Sequence, residues 1–318
     1  VTKVLVTGAT GFIGSSLVPV LVAAGYDVRC AVWQKNKYML AEQVEINKLE
    51  EVPDWTEALE GVDIVIHLAA RVHIMKDDAL SSLNEYCKVN SIATKNFAEQ
   101  AAKHKVKRFV FLSTIKVNGE VSLAHSPFSE ESTVQPTDPY AQSKLNAECY
   151  LQEISRNSGM EVVILRPPLV YGPGVKANFL KLLSMVQKGW PLPFASINNK
   201  RSFIFIDNLI SAILTVMTHP QAANQLYLVA DNESWSLAEL LSILAQSMKV
   251  DLRLFRFPAS LLAGLFKISG MSGLNTRLLG SLEVNNKKII SELGWLPPVN
   301  SSEGLKKTAV WYQYEYNS

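Results

Sequence analysis

The chain is poor in the features that mark several large classes of protein. It has only three cysteines, Cys30, Cys87 and Cys149, in 318 residues. Odd in number and widely spaced, they make neither a disulfide framework nor a zinc site, and they fit a reducing compartment. Neither sign of charge is in excess: 31 Lys and Arg face 29 Asp and Glu, for a net charge of +2. That balance gives no reason to expect nucleic acid or an acidic membrane surface as a partner. No apolar run is long enough for a bilayer. The stretch from Pro258 to Leu265 is broken by Gly264 and closed by Lys267 and Gly270, which predicts a buried or surface-lying helix. No internal repeat or low-complexity tract is present, and no cluster of metal-ligating residues suggests a metal. The opening Lys3-Val4-Leu5-Val6-Thr7 is strand-like from the start, without a charged leader and apolar run, so a cytoplasmic protein is expected.

What remains is the balance of a soluble globular protein: 48% apolar and 19% charged residues, enough chain for one large domain or two intimate ones. Strand-like runs fall at Val4–Val6, Val28–Val32, Ile64–His67, Phe109–Leu112 and Val162–Leu165, with a weaker one near Val44–Ile46. Helical patterns lie between them at Gly14–Ala24, Leu80–Lys103 and Pro139–Asn157. This alternation predicts an α/β fold, a doubly wound parallel sheet with helices on both faces. From Pro167 the rhythm changes to a Pro/Gly-punctuated region, with strand-like Phe203–Ile206 and Leu226–Val229 expected to return to the main sheet. The rest, from Leu237 to Tyr314, reads as mostly helical. The expected division is a cofactor domain over residues 1–168, with a return near 203–230, and a smaller, mostly helical substrate domain over 169–318.

Gly8-Ala9-Thr10-Gly11-Phe12-Ile13-Gly14 follows the first strand and opens the first helix. Such a turn lets the backbone approach a pyrophosphate while the helix offers its free N–H groups. Gly8, Gly11, Phe12, Ile13 and Gly14 are therefore candidate dinucleotide contacts. After the second strand, Arg29-Cys30-Ala31-Val32-Trp33-Gln34-Lys35 contains no acid to bind the adenine ribose. Arg29 and Lys35 are possible partners for a 2′-phosphate, or plain surface residues, so the run favours NADP and leaves NAD open.

Tyr140 and Lys144 lie four apart, one helical turn, in Asp138-Pro139-Tyr140-Ala141-Gln142-Ser143-Lys144. Asp138 suits the helix cap and Pro139 its first turn. An ammonium beside a phenol, near the positive end of a helix, is expected to favour the phenolate and let Tyr140 exchange a proton.

With the glycine turn and the Tyr140/Lys144 pair in one chain, the sequence resembles the extended short-chain dehydrogenase/reductase family. It is most similar to the nucleotide-sugar epimerase and reductase branch typified by UDP-galactose 4-epimerase. His67-Leu68-Ala69-Ala70, Val89-Asn90, Leu112-Ser113-Thr114, Leu165-Arg166-Pro167 and Val170-Tyr171-Gly172-Pro173-Gly174 match that pattern, as do Asn178-Phe179, Arg201 with Asp207-Asn208, and Leu293-Gly294-Trp295. The resemblance implies a Rossmann fold, and a cofactor site that adds Leu68, Ala69, Ala70, Asn90, Ser113 and Pro167 to Tyr140 and Lys144. It also implies catalysis by Thr114, Tyr140 and Lys144, and a UDP end held by Asn178, Arg201 and Arg277. It implies a homodimer packed through the Leu80–Lys103 and Pro139–Asn157 helices. Related 4,6-dehydratases carry an Asp and a Glu directly after the catalytic Thr. Here Ile115 and Lys116 stand there, so elimination of water lacks its acid and base. The run from Ser113 to Glu120 also resembles the branch that reduces UDP-4-keto-6-deoxy-N-acetylhexosamine in surface-polysaccharide synthesis. The expected reaction is hydride transfer at C4 of a UDP-hexose, as epimerase or reductase. A dihydroflavonol-type reductase and a non-enzymatic cofactor sensor are the alternatives. Lys116 reads either as a solvated rim residue or as a guide for an anionic substrate.

Overall fold

The computed structural model describes residues 1–72, 79–123, 125–268 and 272–316. Seven strands form a parallel sheet: β1 (Lys3–Thr7), β2 (Asp27–Val32), β3 (Glu42–Glu45), β4 (Ile64–His67), β5 (Arg108–Leu112) and β6 (Glu161–Arg166) with, later in the chain, β9 (Leu226–Leu228). Their order is β3-β2-β1-β4-β5-β6-β9. Every pairing is parallel, with Val6 opposite Cys30 on one side and Ile66 on the other. The strands are buried on both faces because their side chains alternate between two cores. Val4 and Val6 pack with Leu17, Val18 and Leu21 of the Phe12–Ala23 helix on one face. Leu5, Val65, Phe109 and Phe111 pack with Phe97, Ala147 and Leu151 on the other. The expected doubly wound sheet is present, and the weak Val44–Ile46 signal is the edge strand β3.

Two expectations need correction. Phe203–Ile206 does not return to the main sheet. β8 (Arg201–Phe205) lies between β7 (Leu169–Tyr171) and β10 (Ser234–Trp235) in a separate three-stranded sheet. Pro167-Pro168 at the exit of β6 offer no N–H donors, so the chain peels away there and starts a second ladder. Leu226–Val229 does return, as β9 beside β6. The Leu80–Lys103 helix is interrupted: Ala79–Tyr86 and Ala93–Lys103 flank a π-helical turn, Cys87–Ile92. Such turns recur at functional sites. Beyond Leu237 the chain is mostly helical as expected. Among the described residues no helix is long and apolar enough to cross a membrane, and no group of three metal-ligating side chains forms.

One buried carboxylate knots three distant parts of the chain. Asp231 accepts hydrogen bonds from the Tyr171 hydroxyl at 2.8 Å, the Asn208 amide at 2.7 Å and the Phe205 N–H at 3.1 Å. The Asn208 side chain in turn exchanges two bonds with the backbone of Val299, at 2.8 and 2.9 Å, and Tyr171 also reaches the Ser301 carbonyl.

Candidate active site

Strand order reverses between β1 and β4, where an open parallel sheet leaves a crevice beyond its carboxyl ends. Gly8 leaves β1 at φ +70°, and a Cβ there would sit 2.8 Å from the Ala69 nitrogen in the loop after β4. The two loops therefore touch backbone to backbone. At Gly14 a Cβ would lie 2.2 Å from the Gly8 carbonyl oxygen, so the helix can dock on its own turn only as glycine. Gly11 precedes the Phe12–Ala23 helix without a side-chain cap, which leaves the first N–H groups free for an anion. Phe12 lies under the Gly172–Gly174 turn, 3.6 Å from a Cβ on Gly174 (φ +87°). This bare backbone cradle fits a dinucleotide pyrophosphate.

The loop after β4 is held by a chain of buried hydrogen bonds. Ala69 N–H donates to the Thr7 hydroxyl at 3.2 Å, and Thr7 and His67 Nδ1 are 2.7 Å apart. His67 Nε2 lies 2.9 Å from the Thr94 hydroxyl, which donates to the Asn90 carbonyl. The Thr94 bond assigns the proton to Nε2 and makes Nδ1 the acceptor. Burial pushes the imidazole down to about 3, so it is neutral. Asn90, in the π-turn, completes the lock. Its Oδ1 accepts from Arg71 N–H at 2.8 Å, and its Nδ2 donates to the Arg71 carbonyl and to the Ser143 hydroxyl. Asn90 thus places the loop of Leu68, Ala69 and Ala70 against the helix of Tyr140 instead of offering its own amide to a ligand.

That helix runs from Pro139 to Ser158, and Asp138 caps it through Oδ1 at 2.7 Å from Ala141 N–H, as the sequence predicts. Lys144 is 2% exposed and lies over the Phe111 ring at 4.0 Å. Its ammonium makes no hydrogen bond among the described residues. Burial pushes it down to about 7, against the pull of the Glu148 carboxylate one turn on. Tyr140 packs edge-on against Tyr86, with ring centroids 5.9 Å apart. The expected acidification of the phenol is not what the structure gives. Burial first, then Asp138 and Tyr86, push it above its usual value. Desolvating the phenolate raises the phenol, and the Asp138 charge adds to the rise.

Thr114 leaves β5 half-buried and caps a short turn, accepting from Lys116 N–H at 3.3 Å. Pro167 fixes the same turn, its carbonyl accepting from Ile115 N–H at 2.9 Å. Ser113, expected at the cofactor, faces the other way. Its hydroxyl donates to Glu148, which is ion-paired with Arg166. Arg166 also donates to Asn118 at 2.9 Å. Glu148 was missed in the sequence, although its place one turn after Lys144 on the same face was visible. Lys116 is neither a solvated rim residue nor a free cation: it pairs with Asp138 and, at 3.0 Å, with Glu120.

Arg29 is not a phosphate ligand. It is 6% exposed, its guanidinium donates to the carbonyls of Glu57, Ala58 and Glu60, and it pairs with Glu42 at 2.9 Å. Lys35 remains exposed at the exit of β2, beside Trp33, whose ring is 5.2 Å from the Lys48 ammonium. Of the residues expected at the UDP end, Asn178 is exposed in the first turn of the Ala177–Gln187 helix. Arg201 donates to the Gly280 carbonyl at 2.9 Å, at the end of the Ser272–Leu279 helix. The side chain of Arg277, on that helix, lies outside the described residues.

A profile of the NAD dependent epimerase/dehydratase family matches residues 4–230. A UDP-glucose 4-epimerase of Vibrio cholerae is 43% identical over 314 residues, 96% of this chain and 94% of its own. Two solved structures share the fold. One is the UDP-glucose 4-epimerase of Thermotoga maritima with UDP-glucose (TM-score 0.77, 24% identity, 99% of each chain). The other is the UDP-glucuronic acid 4-epimerase of Bacillus cereus with NAD (TM-score 0.79, 22% identity, 99% of this chain and 100% of that one).

Proposed function

The chain belongs to the NAD-dependent epimerase/dehydratase family, and from that premise we propose that it transfers a hydride at C4 of a UDP-hexose, N-acetylated at C2. Its cofactor is a nicotinamide dinucleotide, NADP or NAD, for which the Gly8–Gly14 cradle is shaped. Bound there, the nicotinamide supplies or takes up the hydride. The observation that carries the reading is the buried Lys144, whose ammonium has no hydrogen-bond partner among the described residues, one turn from a half-buried Tyr140. Tyr140 holds the proton exchanged with the C4 oxygen, Thr114 hydrogen-bonds that oxygen, and Lys144 holds the cofactor ribose and supports the phenolate. A ribose hydroxyl at Lys144 would give its ammonium the acceptor that the described residues do not provide. Ile115 and Lys116 leave no carboxyl pair for elimination, so the work is redox at one carbon, as 4-epimerase or 4-keto reductase. The Vibrio cholerae relative supports the UDP-sugar class. The acid-free exit of β2, with Lys35 beside it, supports NADP. The UDP end falls to Asn178, Arg201 and Arg277, arginine forks being suited to phosphate. The same proposal includes a homodimer and a place in surface-polysaccharide synthesis.

The test supplies UDP-N-acetylglucosamine and UDP-4-keto-6-deoxy-N-acetylglucosamine separately, with NMR of the products and absorbance of NADPH. Epimer formation from the first identifies an epimerase, and NADPH consumption with the second a reductase. Inertness toward both overturns the reading. Tyr140→Phe should bind the dinucleotide yet lose about 10²–10⁴-fold in turnover. Turnover at the wild-type rate would remove Tyr140 from the chemistry.

A further inference from the structure

Lys116 stands two residues after Thr114 and reaches the start of the Tyr140 helix. Its ammonium pairs with Asp138, whose other carboxylate oxygen caps the Tyr140 helix, and with Glu120 at 3.0 Å. Its own N–H donates to the Thr114 hydroxyl. One side chain thus ties the turn that carries Thr114 to the cap of the helix that carries Tyr140. All three charged groups are sheltered, with 28% of the Lys116 side chain, 28% of Asp138 and 22% of Glu120 exposed. An ion pair so placed is less screened than one on an open surface. Tyr140 itself faces Asp138 from its own helix start, Tyr86 from the helix before the π-turn, and Lys144 one turn on.

We propose that Lys116 is a positioning residue: it clamps Asp138 to the Thr114 turn and screens the Tyr140 phenol from the Asp138 carboxylate. The proposal rests on the reading of Tyr140 as the proton carrier. Without Lys116, the cap would retain its negative charge two residues from the phenol, and Glu120, the other partner of Lys116, carries the same sign. The phenolate would then be harder to form, since an uncompensated carboxylate beside a phenol disfavours its ionised form. Asp138 pushes the phenol upward even with Lys116 in place, so its charge is felt there.

The measurement is 19F NMR of protein made with a fluorinated tyrosine, whose phenol is more acidic. The Tyr140 resonance is assigned by its loss in Tyr140→Phe. Lys116→Met should raise the titration midpoint of that resonance by about one pH unit. Lys116→Arg, which keeps the charge, should hold it at the wild-type value. Adding Asp138→Asn to Lys116→Met keeps a competent cap and removes the charge, so the midpoint should return to the wild-type value or below. An unchanged midpoint in Lys116→Met, or a rise that Asp138→Asn does not reverse, overturns the proposal. Should Lys116→Met not fold, Asp138→Asn alone decides: the midpoint must fall, and an unchanged one overturns the idea. No substrate is present in this titration, so a failure of the sugar assay and a failure of the Lys116 proposal are separate results.

Discussion

Truncating Glu148 to alanine tests the buried base of the site. The Glu148 and Arg166 side chains are 3% and 4% exposed, and Glu148 also accepts from Ser113. Removal leaves a buried guanidinium with Asn118 as its remaining side-chain partner and a buried hydroxyl without its acceptor. Breaking a buried ion pair from one side costs about 3–5 kcal/mol, and the hydroxyl adds about 1 kcal/mol. Unfolding entropy is about 2.1 cal/mol/K per residue near 60 °C, so a chain of 318 residues loses roughly 0.7 kcal/mol of stability per degree near its midpoint. The expected fall in Tm is therefore about 6–9 °C by calorimetry. The double variant Glu148→Met with Arg166→Met, an apolar pair of similar volume, should recover most of it, because such replacements are often neutral or better. A Tm loss below about 2 °C in Glu148→Ala, or a double variant no more stable than the single one, would refute the reasoning. Glu148 also holds the Lys144 ammonium up. Variants that fold should therefore show the alkaline fall of activity at lower pH.

Three further outcomes follow from the geometry. His67 is held near 3 by burial, below its unfolded value of about 6.5. The unfolded chain then binds more protons between these two pH values, so stability falls as pH drops through that window. His67→Gln should flatten this acid loss in urea melts at pH 4 to 7, and an identical slope would remove His67 as its cause. Gly14→Ala places a methyl 2.2 Å from the Gly8 carbonyl, so dinucleotide affinity should fall at least about tenfold by calorimetric titration, a change of about 1.4 kcal/mol. Binding at wild-type strength would contradict the close packing of helix on turn. Arg29→Met should lower Tm, as several buried carbonyls lose their donor, while the ratio of NADPH to NADH Kd stays fixed. A change in that ratio would return Arg29 to the cofactor site.

The parts of the fold that were legible in the sequence depend on local demands. Gly8 is dictated by its φ of +70°, Gly11 and Gly14 by contacts within the same turn, and Asp138-Pro139 by the needs of one helix start. The partner of Phe203–Ile206 was not legible, because a strand pattern states which face is apolar but not which strand lies beside it. Arg29 was misread for a related reason: the sequence gives its charge but not its depth, and at 6% exposure it serves the carbonyls of a neighbouring turn. The π-turn at Cys87–Ile92 left no periodicity signal. The acidity of Tyr140 was the largest error of sign. Spacing shows the ammonium one turn away, but not the burial that raises the phenol and lowers the ammonium.

The knot around Asp231 sets what relatives can trade. Tyr171, Phe205, Asn208, Val299 and Ser301 converge on that one region, across more than a hundred residues of sequence. A recombinant that imported the segment between two of these points would inherit one side of the knot without the other, and would bury an acid without its full set of donors. Successful crossovers should instead fall before Tyr171 or carry every member together. New sugar specificities in this scaffold would then arise by point changes within the segment more readily than by its wholesale exchange.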